Sequence, residues 1–535
     1  MSFLCRLLPL PFRRRTGAKM ATVQMPRDTA AAQATTPTLS TSALKVSNND
    51  DLASLNHDQI VFILTAPSKK ESSGDGYLIY SLVEMPSGSN KSDSEAEKQQ
   101  PFKLEITFAS RLPLDSGLNQ FLLQGSDPAS GKGSGSQLLP PPHLRSDPHI
   151  IVSTRSGIRL AVPFYDGVLS PLLGALGFEA VPDSKKHPKS EEGSNSSGHH
   201  RYNVTITENE HTIRDFASTH LTKDKTTKRT IILLSGDGGV VDLLNGIGEA
   251  QEHHDTNEVP TVGVLPLGTG NALFHSLHKL EYGKYPEGKG PSSLVLGLRT
   301  LFRGRPEGLP TFRAEFSTGA RLIGAPRPIE NDGEVESADG KELKRVNHLV
   351  GAIVASYGFH ASLVWESDTP AYRAHGDKRF GMAAGELLKV SHAYDADVEV
   401  RMKGETAFRP LVRKGKGEEE GKYDYVLATM VSNLEKTFTI SPASKPLEGQ
   451  LRLVHFGDVG GEKTMEIMQA AYRSGEHIKM EEVGYEEIEA VKVIIKEVDP
   501  RWRKVCIDGT IVEIEKGGWM KVGREKGERL KVLVA

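Results

Sequence analysis

Between residues 149 and 294 the chain alternates short apolar runs with segments whose apolar residues have helical spacing. The apolar runs have the length of buried strands, and each ends at a polar or glycine-rich turn. They read HIIV at 149–152, YNVTIT at 202–207, IILLS at 231–235 and TVGVLP at 261–266. Helical segments follow at 162–176, from about 210, at 240–248 and at 272–280. Strands that alternate with helices predict a mainly parallel sheet covered on both faces, with ligands at the carboxyl ends of the strands.

After residue 294 the pattern changes to many short runs of alternating polarity that are separated by turns. The runs read TFRAEF, RLIGAP, HLVGAIVAS, DADVEVRM, DYVLATMVS, LRLVHF, AVKVIIKEV, KVCIDGTIVEI and LKVLVA. One segment, at 378–392, has helical spacing. This succession predicts a β-sandwich-like second domain with a single helical interruption.

The N-terminal part of the chain has a third pattern. Residues 1–56 are rich in Ala, Thr, Ser and Gln without periodicity, which predicts a disordered or targeting segment. The runs QIVFIL, YLIYSLV, KLEITF and QFLLQ predict a small β-rich region over 57–125, and 126–147 is a polar, proline-containing linker. We therefore divide the remainder into an α/β domain at 148–293 and a β-sandwich domain at 294–535.

Composition narrows the class of protein. With 37% hydrophobic and 25% charged residues, the 535-residue chain has the make-up of a soluble folded protein with disordered segments. A formal net charge of -3 argues against a bulk nucleic-acid-binding protein. The only cysteines, Cys5 and Cys506, predict neither a disulfide framework nor a cysteine-based zinc site, which fits a reducing compartment.

The location of the protein is left with two alternatives. No apolar run approaches the roughly 18 residues of a transmembrane helix, so contact with a membrane would be peripheral. The first residues, MSFLCRLLPLPFRRRTGAK, are Arg-rich and no acid precedes Asp28. This segment fits a mitochondrial-type presequence, a basic surface anchor, or a true start at Met20. We expect a cytoplasmic, peripherally membrane-associated protein, with a mitochondrial location as the alternative.

Two glycine-rich loops follow successive strands of the predicted parallel sheet. Gly236, Gly238 and Gly239 would let the main chain approach an anionic ligand, and N–H groups at the start of the next helix favour phosphate. The second loop, LPLGTGN at 265–271, has the same properties and adds a hydroxyl and an amide. Two such loops on one sheet indicate a nucleotide site more strongly than either loop alone.

Asp237 is the acid between these glycines. Beside phosphates, a carboxylate is unfavourable unless a divalent cation lies between them or unless it accepts the proton of an attacking hydroxyl. The alternative is an aspartate that bonds its own backbone in a turn. From these residues alone the turn aspartate is favoured, and Asp237 becomes the candidate catalytic residue through the resemblance described next.

SGDGGVVDLLNGI at 235–247 and LPLGTGNALFHSLH at 265–278 resemble the nucleotide-binding blocks of the diacylglycerol kinase catalytic superfamily. They are especially similar to sphingosine, or long-chain base, kinases. The resemblance runs roughly from His149 to the C-terminus. It implies an ATP-binding α/β domain followed by a β-sandwich-like lipid-binding domain, with ATP and Mg²⁺ as cofactors.

The resemblance also implies which residues contact the nucleotide. They are Ser156, Gly157, Thr207, Ser235, Gly236, Gly238, Gly239, Gly268, Thr269, Gly270, Asn271, Arg373, Arg379, Asp508 and Gly509. The two arginines, in AYRAHGDKRF at 371–380, would clamp phosphate charge, the alternative being a solvated basic turn. Thr207 lies in a Thr-Glu…His block, where it could instead cap the next helix.

Two acids complete the implied site. Asp242, in the helix after the first loop, occupies an acidic position of the family and would assist metal binding or position the base; by itself it would be an exposed helical acid. Asp508, in VCIDGT at 505–510, would approach the nucleotide or its Mg²⁺. The alternative for Asp508 is an Asp-Gly hairpin turn.

Three features depart from the family pattern. The first loop, STRSGIRLA at 153–161, keeps Ser156 and Gly157 but lacks the family's Asn-Pro and Lys. SGKG at 130–133 spells the family tetrapeptide better, but no strand precedes it and no helix follows, so we assign it to the linker. Thr510 stands where the family has Glu.

The implied substrate side lies at GFHAS, residues 358–362. Sphingosine kinases have an Asp there that recognises the amine of the substrate, and this chain has Ser362, which carries no charge. His360 also falls in this segment, where the alternative is a buried structural histidine. Ser362 and His360 are the candidate substrate-binding residues.

These inferences lead to an ATP- and Mg²⁺-dependent lipid kinase. We expect it to associate peripherally with a membrane surface and not to bind nucleic acid. We expect it to phosphorylate the hydroxyl of a sphingoid long-chain base, with diacylglycerol as the alternative acceptor. A NAD kinase-like enzyme is a further alternative, and it would act without detergent or vesicles. A lipid-binding pseudokinase would transfer no phosphate to any lipid.

Overall fold

The structure is a computed structural model. It describes residues 46–48, 52, 55–66, 76–85, 100–113, 116–123, 140–145, 147–181, 200–222, 228–247, 259–286, 288–324, 344–376, 378–412 and 421–535. Cys5, Met20, SGKG at 130–133 and most of the segment 1–56 lie outside these residues. Within that segment the described part includes a short strand, β1 (Val46–Asn48).

The α/β domain is built on a sheet that has seven strands among the described residues. Six of them are β5 (Pro148–Val152), β6 (Phe178–Ala180), β7 (His200–Ile206), β8 (Thr230–Ser235), β9 (Thr261–Pro266) and β10 (Arg305–Gly308). Its helices are α1 (Ala161–Phe164), α2 (Ser170–Ala175), α3 (Thr212–Phe216), α4 (Asp237–Gly246), α5 (Ala272–Leu277), α6 (Lys279–Tyr282) and α7 (Ser293–Arg303). A π-helical turn, Tyr165–Leu169, joins the first two helices.

The order of the strands places the glycine-rich loops side by side. β5, β7, β8 and β9 run parallel, and β8 lies between β5 and β9. β8 is buried along its whole length, as expected for a strand covered on both faces. The parallel sheet predicted from the alternating pattern is therefore present, and the loops after β5, β8 and β9 leave the same edge of the sheet.

The seventh strand comes from the C-terminus. This strand, β23 (Lys531–Val534), pairs parallel to β9 and antiparallel to β10. Its Val532 and Leu533 are buried in the two cores that flank the sheet. β10, β23 and α7 thus pack with the α/β domain, although a division at 293/294 assigns them to the second one.

The second domain is mainly antiparallel. Its strands are β11 (Phe312–Phe316), β12 (Arg321–Leu322), β13 (His348–Gly351), β14 (Val354–Gly358), β15 (Tyr394–Met402), β16 (Arg409–Pro410), β17 (Lys422–Thr429), β18 (Leu451–Gly457), β19 (Gly484–Ile495), β20 (Lys504–Ile507), β21 (Thr510–Glu513) and β22 (Trp519–Arg524). Among the described residues ten of them form one continuous path of paired strands, in which β15 pairs with both β17 and β19. β16 and β18 lie off this path: β16 pairs with β15, and β18 pairs with both β17 and β19. The β-rich character was predicted; the single connected path was not.

Helices interrupt this domain more often than the sequence pattern predicts. They are α8 (Phe359–Glu366), α9 (Pro370–Arg373), α10 (Lys378–Val390) and α11 (Gly460–Tyr472). Only α10 was predicted. α8, with the sequence FHASLVWE, has apolar residues on several sides, so it lacks the one-sided spacing by which a helix is recognised. The prediction of one helical interruption was wrong for that reason.

The N-terminal region is a small sheet that packs on the α/β domain. Its further strands are β2 (Ile60–Ala66), β3 (Gly76–Glu84) and β4 (Phe102–Ala109), and β1 pairs parallel to β4. The ring of Phe62 lies edge-on to Phe302 of α7, with centroids 5.0 Å apart. Arg299 of the same helix donates to the main-chain oxygens of His57 and Ile60. The predicted β-rich region thus shares one apolar core with the α/β domain.

None of the described helices has both the length and the apolar character needed to cross a bilayer.

Candidate functional site

The two glycine-rich loops contact each other through their backbones. A Cβ added to Gly236 would lie 2.9 Å from the Cα of Gly268, and one added to Gly268 would overlap the Cα of Gly236. In the loop after β5, Gly157 has a φ of 51°, and a Cβ there would lie 2.5 Å from the carbonyl oxygen of Leu267. These three glycines are therefore required by the close approach of three loops, which the sequence pattern could not show.

Asp237 connects the two glycine-rich loops. Its Oδ2 accepts the backbone N–H of Ala272 at 2.7 Å, and its Oδ1 accepts that of Leu273 at 3.1 Å. Asp237 begins α4 and the two donors begin α5, so one carboxylate ties the starts of two helices together. Burial raises the pKa of this carboxyl, and the two N–H donors lower it in part.

The loop after β9 is held in shape by Asn271. This residue has a φ of 53°, and its side-chain amide both accepts from the N–H of Gly268 and donates to its carbonyl oxygen, each at 3.0 Å. Thr269 and Gly270 are only partly buried, at the tip between these two residues. A Cβ on Gly270 would lie 3.3 Å from the carbonyl oxygen of Leu434, so the second domain borders the loop.

Hydroxyl groups link the ends of neighbouring strands. Ser156 Oγ lies 2.7 Å from Ser153 Oγ and 3.1 Å from Ser235 Oγ, which connects the first loop to the end of β8. Thr207 Oγ1 accepts the N–H of Thr154 at 2.9 Å, so this side chain joins β7 to the first loop. This hydrogen bond of Thr207 is not the helix cap that the sequence analysis gave as its alternative.

The remaining glycines of the first motif differ in their surroundings. Gly238 is exposed, and a Cβ there would meet nothing within 4 Å. Gly239 is buried, and a Cβ would lie 2.7 Å from Ser235 Oγ. Gly238 therefore leaves open space beside the start of α4.

Both candidate arginines are bound to an acid that the sequence analysis did not identify. Arg373 donates its Nε and Nη2 to the two oxygens of Asp368, at 2.8 and 2.6 Å. Arg379 donates Nη1 to the Asp368 Oδ1 at 3.0 Å. A Cβ on Gly376, between the arginines, would lie 3.5 Å from Ile158 in the loop after β5. The arginine segment therefore adjoins the loop after β5.

Asp508 binds main chain in the hairpin between β20 and β21. With a φ of 47°, it accepts the N–H groups of Ala352, Ile353 and Val354, at distances of 2.6 to 3.2 Å. Burial raises its pKa to about 7, to which the charge of nearby Asp237 contributes. Gly509 completes the turn with a φ of 91°. Asp508 is thus both the predicted turn residue and a neighbour of Asp237.

Asp242 faces an arginine. Arg214 of α3 lies 3.7 Å from its Oδ1, and burial raises the pKa of the carboxyl to about 6. Among the described residues, no group of three or more His, Cys, Asp or Glu side chains is arranged to hold a metal ion. Asp242 and the other described side chains of these types therefore do not by themselves form a metal site.

The candidate substrate residues lie inside the second domain. Tyr394 donates its hydroxyl to Ser362 Oγ at 2.8 Å. His360 Nδ1 lies 2.7 Å from Ser356 Oγ, and burial lowers the pKa of His360 to about 4, which fits the structural alternative. Beside them lies a narrow crevice lined by Phe359, Leu387, Leu388, Ser391, His392, Tyr394, Asp424, Gly461, Thr464 and Trp502.

Sequence reasoning missed two residues that organise the site. Asp368 lies five positions before Arg373, between α8 and α9, and only the contact reveals its role. Asn245 of α4 donates to the carbonyl oxygen of Val350 and accepts its N–H, at 2.8 and 3.0 Å. Asn245 thereby fixes the helix that begins with Asp237 to strand β13 of the second domain.

Residues 184–294 match the sequence profile of the diacylglycerol kinase catalytic domain. The matched segment includes both glycine-rich loops and begins after the loop at 153–161, where the family's Asn-Pro and Lys are missing. This segment is thus similar to a diacylglycerol kinase catalytic domain. A search among curated proteins found no sequence relative.

Three solved structures show a weak structural similarity to this chain. A protein provisionally named a diacylglycerol kinase, from Bacillus anthracis str. Sterne, has 12% identity and a TM-score of 0.44 over 73% of this chain and 95% of that chain. A diacylglycerol kinase from the same organism has 10% identity and a TM-score of 0.38, over 73% and 97%. Yeast NADH kinase complexed with NADH has 11% identity and a TM-score of 0.34, over 73% and 84%. Because all three TM-scores are below 0.5, we base no conclusion on them.

Proposed function

We propose that the protein is an ATP-dependent lipid kinase that phosphorylates the hydroxyl of a sphingoid long-chain base. One observation carries the proposal: the Asp237 carboxylate lies where the two glycine-rich loops meet, within the segment that matches a diacylglycerol kinase catalytic domain. Loops that leave adjacent parallel strands at one edge are a common place for a nucleotide to bind.

The reaction assigns a role to Asp237. The alcohol oxygen forms a bond to the γ-phosphorus while the bond from that phosphorus to the bridging oxygen of ADP breaks. The alcohol proton passes to Asp237, or is directed by it as the oxygen attacks. Burial raises the pKa of Asp237 because it destabilises the charged carboxylate relative to the neutral acid. A carboxylate with a raised pKa is a better proton acceptor than an exposed one.

Phosphate charge is met by the loops and the arginines. Gly238 leaves main chain accessible at the start of α4, and Arg373 and Arg379 lie in the segment that adjoins the loop after β5. Guanidinium groups bind phosphate through paired, charge-assisted hydrogen bonds. Mg²⁺, where it takes part, would come bound to the phosphates, since the described residues form no metal site of their own.

We place the amine of the acceptor at the mouth of the crevice near Ser362, because the crevice itself has a volume of about 10 Å³, which is room for little more than one water molecule. Phe359, Leu387 and Trp502 line it with apolar groups. Its carboxylate, Asp424, supplies the negative charge that Ser362 lacks. A sphingoid amine could pair with Asp424, and this supports a sphingoid base as the first choice of acceptor.

Diacylglycerol is the second candidate, because the matching profile is that of a diacylglycerol kinase catalytic domain. Diacylglycerol carries no amine, so its phosphorylation would not depend on the Asp424 carboxylate. A NAD kinase-like activity and a lipid-binding pseudokinase are the other outcomes that the experiment below separates.

The full-length protein would be incubated with radiolabelled ATP and mixed micelles of sphingosine, dihydrosphingosine, phytosphingosine, diacylglycerol or ceramide, and separately with NAD. We expect labelled sphingoid base 1-phosphate. Asp237→Asn should lower turnover by two or more orders of magnitude, and ATP binding and the melting temperature of the same variant report whether α4 and α5 still meet, because the amide can accept only one of the two N–H groups that Asp237 binds. Asp215→Asn, an exposed acid on α3, is the matched control and should behave as wild type. A product from diacylglycerol alone would overturn the choice of substrate, and no labelled lipid would overturn the kinase.

A further inference from the structure

Asp368 lies between α8 and α9, and its carboxylate is shared by two arginines. Both oxygens of Asp368 are bound by Arg373, and Oδ1 is also bound by Arg379. The side chain of Asp368 is 30% exposed, that of Arg373 52% and that of Arg379 18%. The three groups thus form a triad with one face open to solvent.

The triad has an excess of positive charge. Two guanidinium groups share one carboxylate, which leaves a net charge of one positive unit. The Nε of Arg379 is buried and has no hydrogen-bond partner among the described residues. Burial lowers the pKa of Arg379, and the charge of Arg373 contributes to that shift, so the two arginines repel each other. Without Asp368, nothing in these contacts would hold them together.

The segment that carries the two arginines lies next to the loop after β5. Gly376, between the two arginines, approaches Ile158 of that loop. Arg155, from the same loop, lies 3.8 Å from Glu210, whose charge in turn acts on Arg373. The triad therefore lies in the segment that adjoins the loop after β5, the loop that also carries Arg155.

We propose that Asp368 is a positioning residue that assembles Arg373 and Arg379 in advance for a chain of phosphate groups. The inference rests on the proposed function for the identity of the ligand, a nucleoside triphosphate. Asp368 does not touch the ligand itself; it acts through the two arginines.

Asp368 would strengthen binding because it lowers the conformational entropy that the two arginines lose when an anion binds. Arginine side chains have many rotamers, and ordering two of them around an anion reduces its affinity. Asp368 has already ordered both and has offset their mutual repulsion in the free protein. The triphosphate then meets a preformed pair of donors, and the remaining positive charge favours its binding.

Binding of inorganic triphosphate to the full-length protein, measured by titration calorimetry, tests the inference without any lipid. We expect Asp368→Asn to weaken the binding at least fivefold. The matched control is Glu366→Gln, at the end of α8 and two residues before Asp368. This variant loses the 2.8 Å ion pair between Glu366 and Arg501, and it should bind triphosphate as tightly as wild type does. In an R373A/R379A background, D368N should no longer weaken binding. Melting temperatures of all variants report whether they fold.

The Michaelis constants of the D368N variant are a second measurement, and a purely structural role of Asp368 would not change them selectively. With ATP and the preferred lipid, D368N should raise the KM for ATP and leave the KM for the lipid unchanged. If D368N binds triphosphate as tightly as wild type, or weakens it equally without the arginines, the inference is wrong. If the cycle holds but no lipid is phosphorylated, the proposed function fails and the role of Asp368 stands.

Discussion

At the scale of the residue, the glycines of the two loops have different tasks. Gly236 and Gly268 lack side chains because their backbones touch, whereas Gly238 stands beside open space. The sequence motif treats all of them as groups that admit a phosphate. In the structure, close contact between loops accounts for two of them, and open space surrounds the third.

Gly268→Ala and Gly238→Ala separate these tasks. A Cβ at 268 would overlap the Cα of Gly236, so one loop must shift. Such overpacking costs about 1–3 kcal/mol. We expect G268A to lower the melting temperature and to weaken ATP binding at least tenfold. G238A meets no atom within 4 Å and should keep the melting temperature of wild type. Equal losses of stability in both variants, measured by calorimetry, would contradict this account.

At the scale of the element, hydrogen bonds tie short helices into one unit below the loop after β9. His275 of α5 lies with Nδ1 3.0 Å from the hydroxyl of Tyr282 on α6, and that hydroxyl lies 3.1 Å from Ser293 Oγ on α7. α5 and α6 are six and four residues long, too short to be stable alone. Contacts with neighbouring elements therefore maintain the helix whose N–H groups bind Asp237.

His275 makes this unit sensitive to acid. Burial lowers its pKa from 6.5 to about 3 in the folded protein, so below pH 6.5 the unfolded chain binds a proton that the native state does not. Its contribution to stability is complete above pH 6.5 and is lost as the pH falls toward 3.

A variant measures that contribution. The loss of unfolding free energy between pH 7.5 and pH 5 should be smaller in His275→Gln than in wild type, by about 2 kcal/mol. Urea denaturation at the two pH values is the measurement. The exposed His375→Gln is the control and should lose as much stability as wild type. An H275Q variant with the full loss would show that this histidine does not carry the effect.

At the scale of the whole molecule, the chain closes on itself. β23 lies beside β9, the strand that leads into LPLGTGN, and it separates β9 from β10. The α/β domain therefore cannot be completed until the second domain and the last residues are in place. A fragment that ends at residue 293 would leave the edge of β9 unpaired.

Removal of residues 530–535 tests this closure. The truncation deletes β23 and exposes the apolar surface that Val532 and Leu533 cover. We expect a melting temperature at least 10 °C lower, or no soluble protein, and loss of ATP binding. Substitution of the exposed Lys516 by Ala, in the turn before β22, is a control for changes near the C-terminus. A truncated protein with the melting temperature of wild type would show that β23 is dispensable.

The amino-acid sequence predicted the alternation of strands and helices at 149–294, the β-rich remainder and the position of both glycine-rich loops. It did so because these features depend on local spacing, which is set by the geometry of strands and helices. Even there, α8 escaped detection because its apolar residues do not lie on one side.

Contacts between distant residues were revealed only by the folded chain. The place of Asp237 between two helix starts, the triad around Asp368 and the return of β23 join residues 35, 5 to 11 and about 270 positions apart. Such contacts follow from the order of strands and the packing of loops, and a periodic pattern carries no information about either. The chemistry was legible in the motifs, but the partners of each charged group were set by the fold.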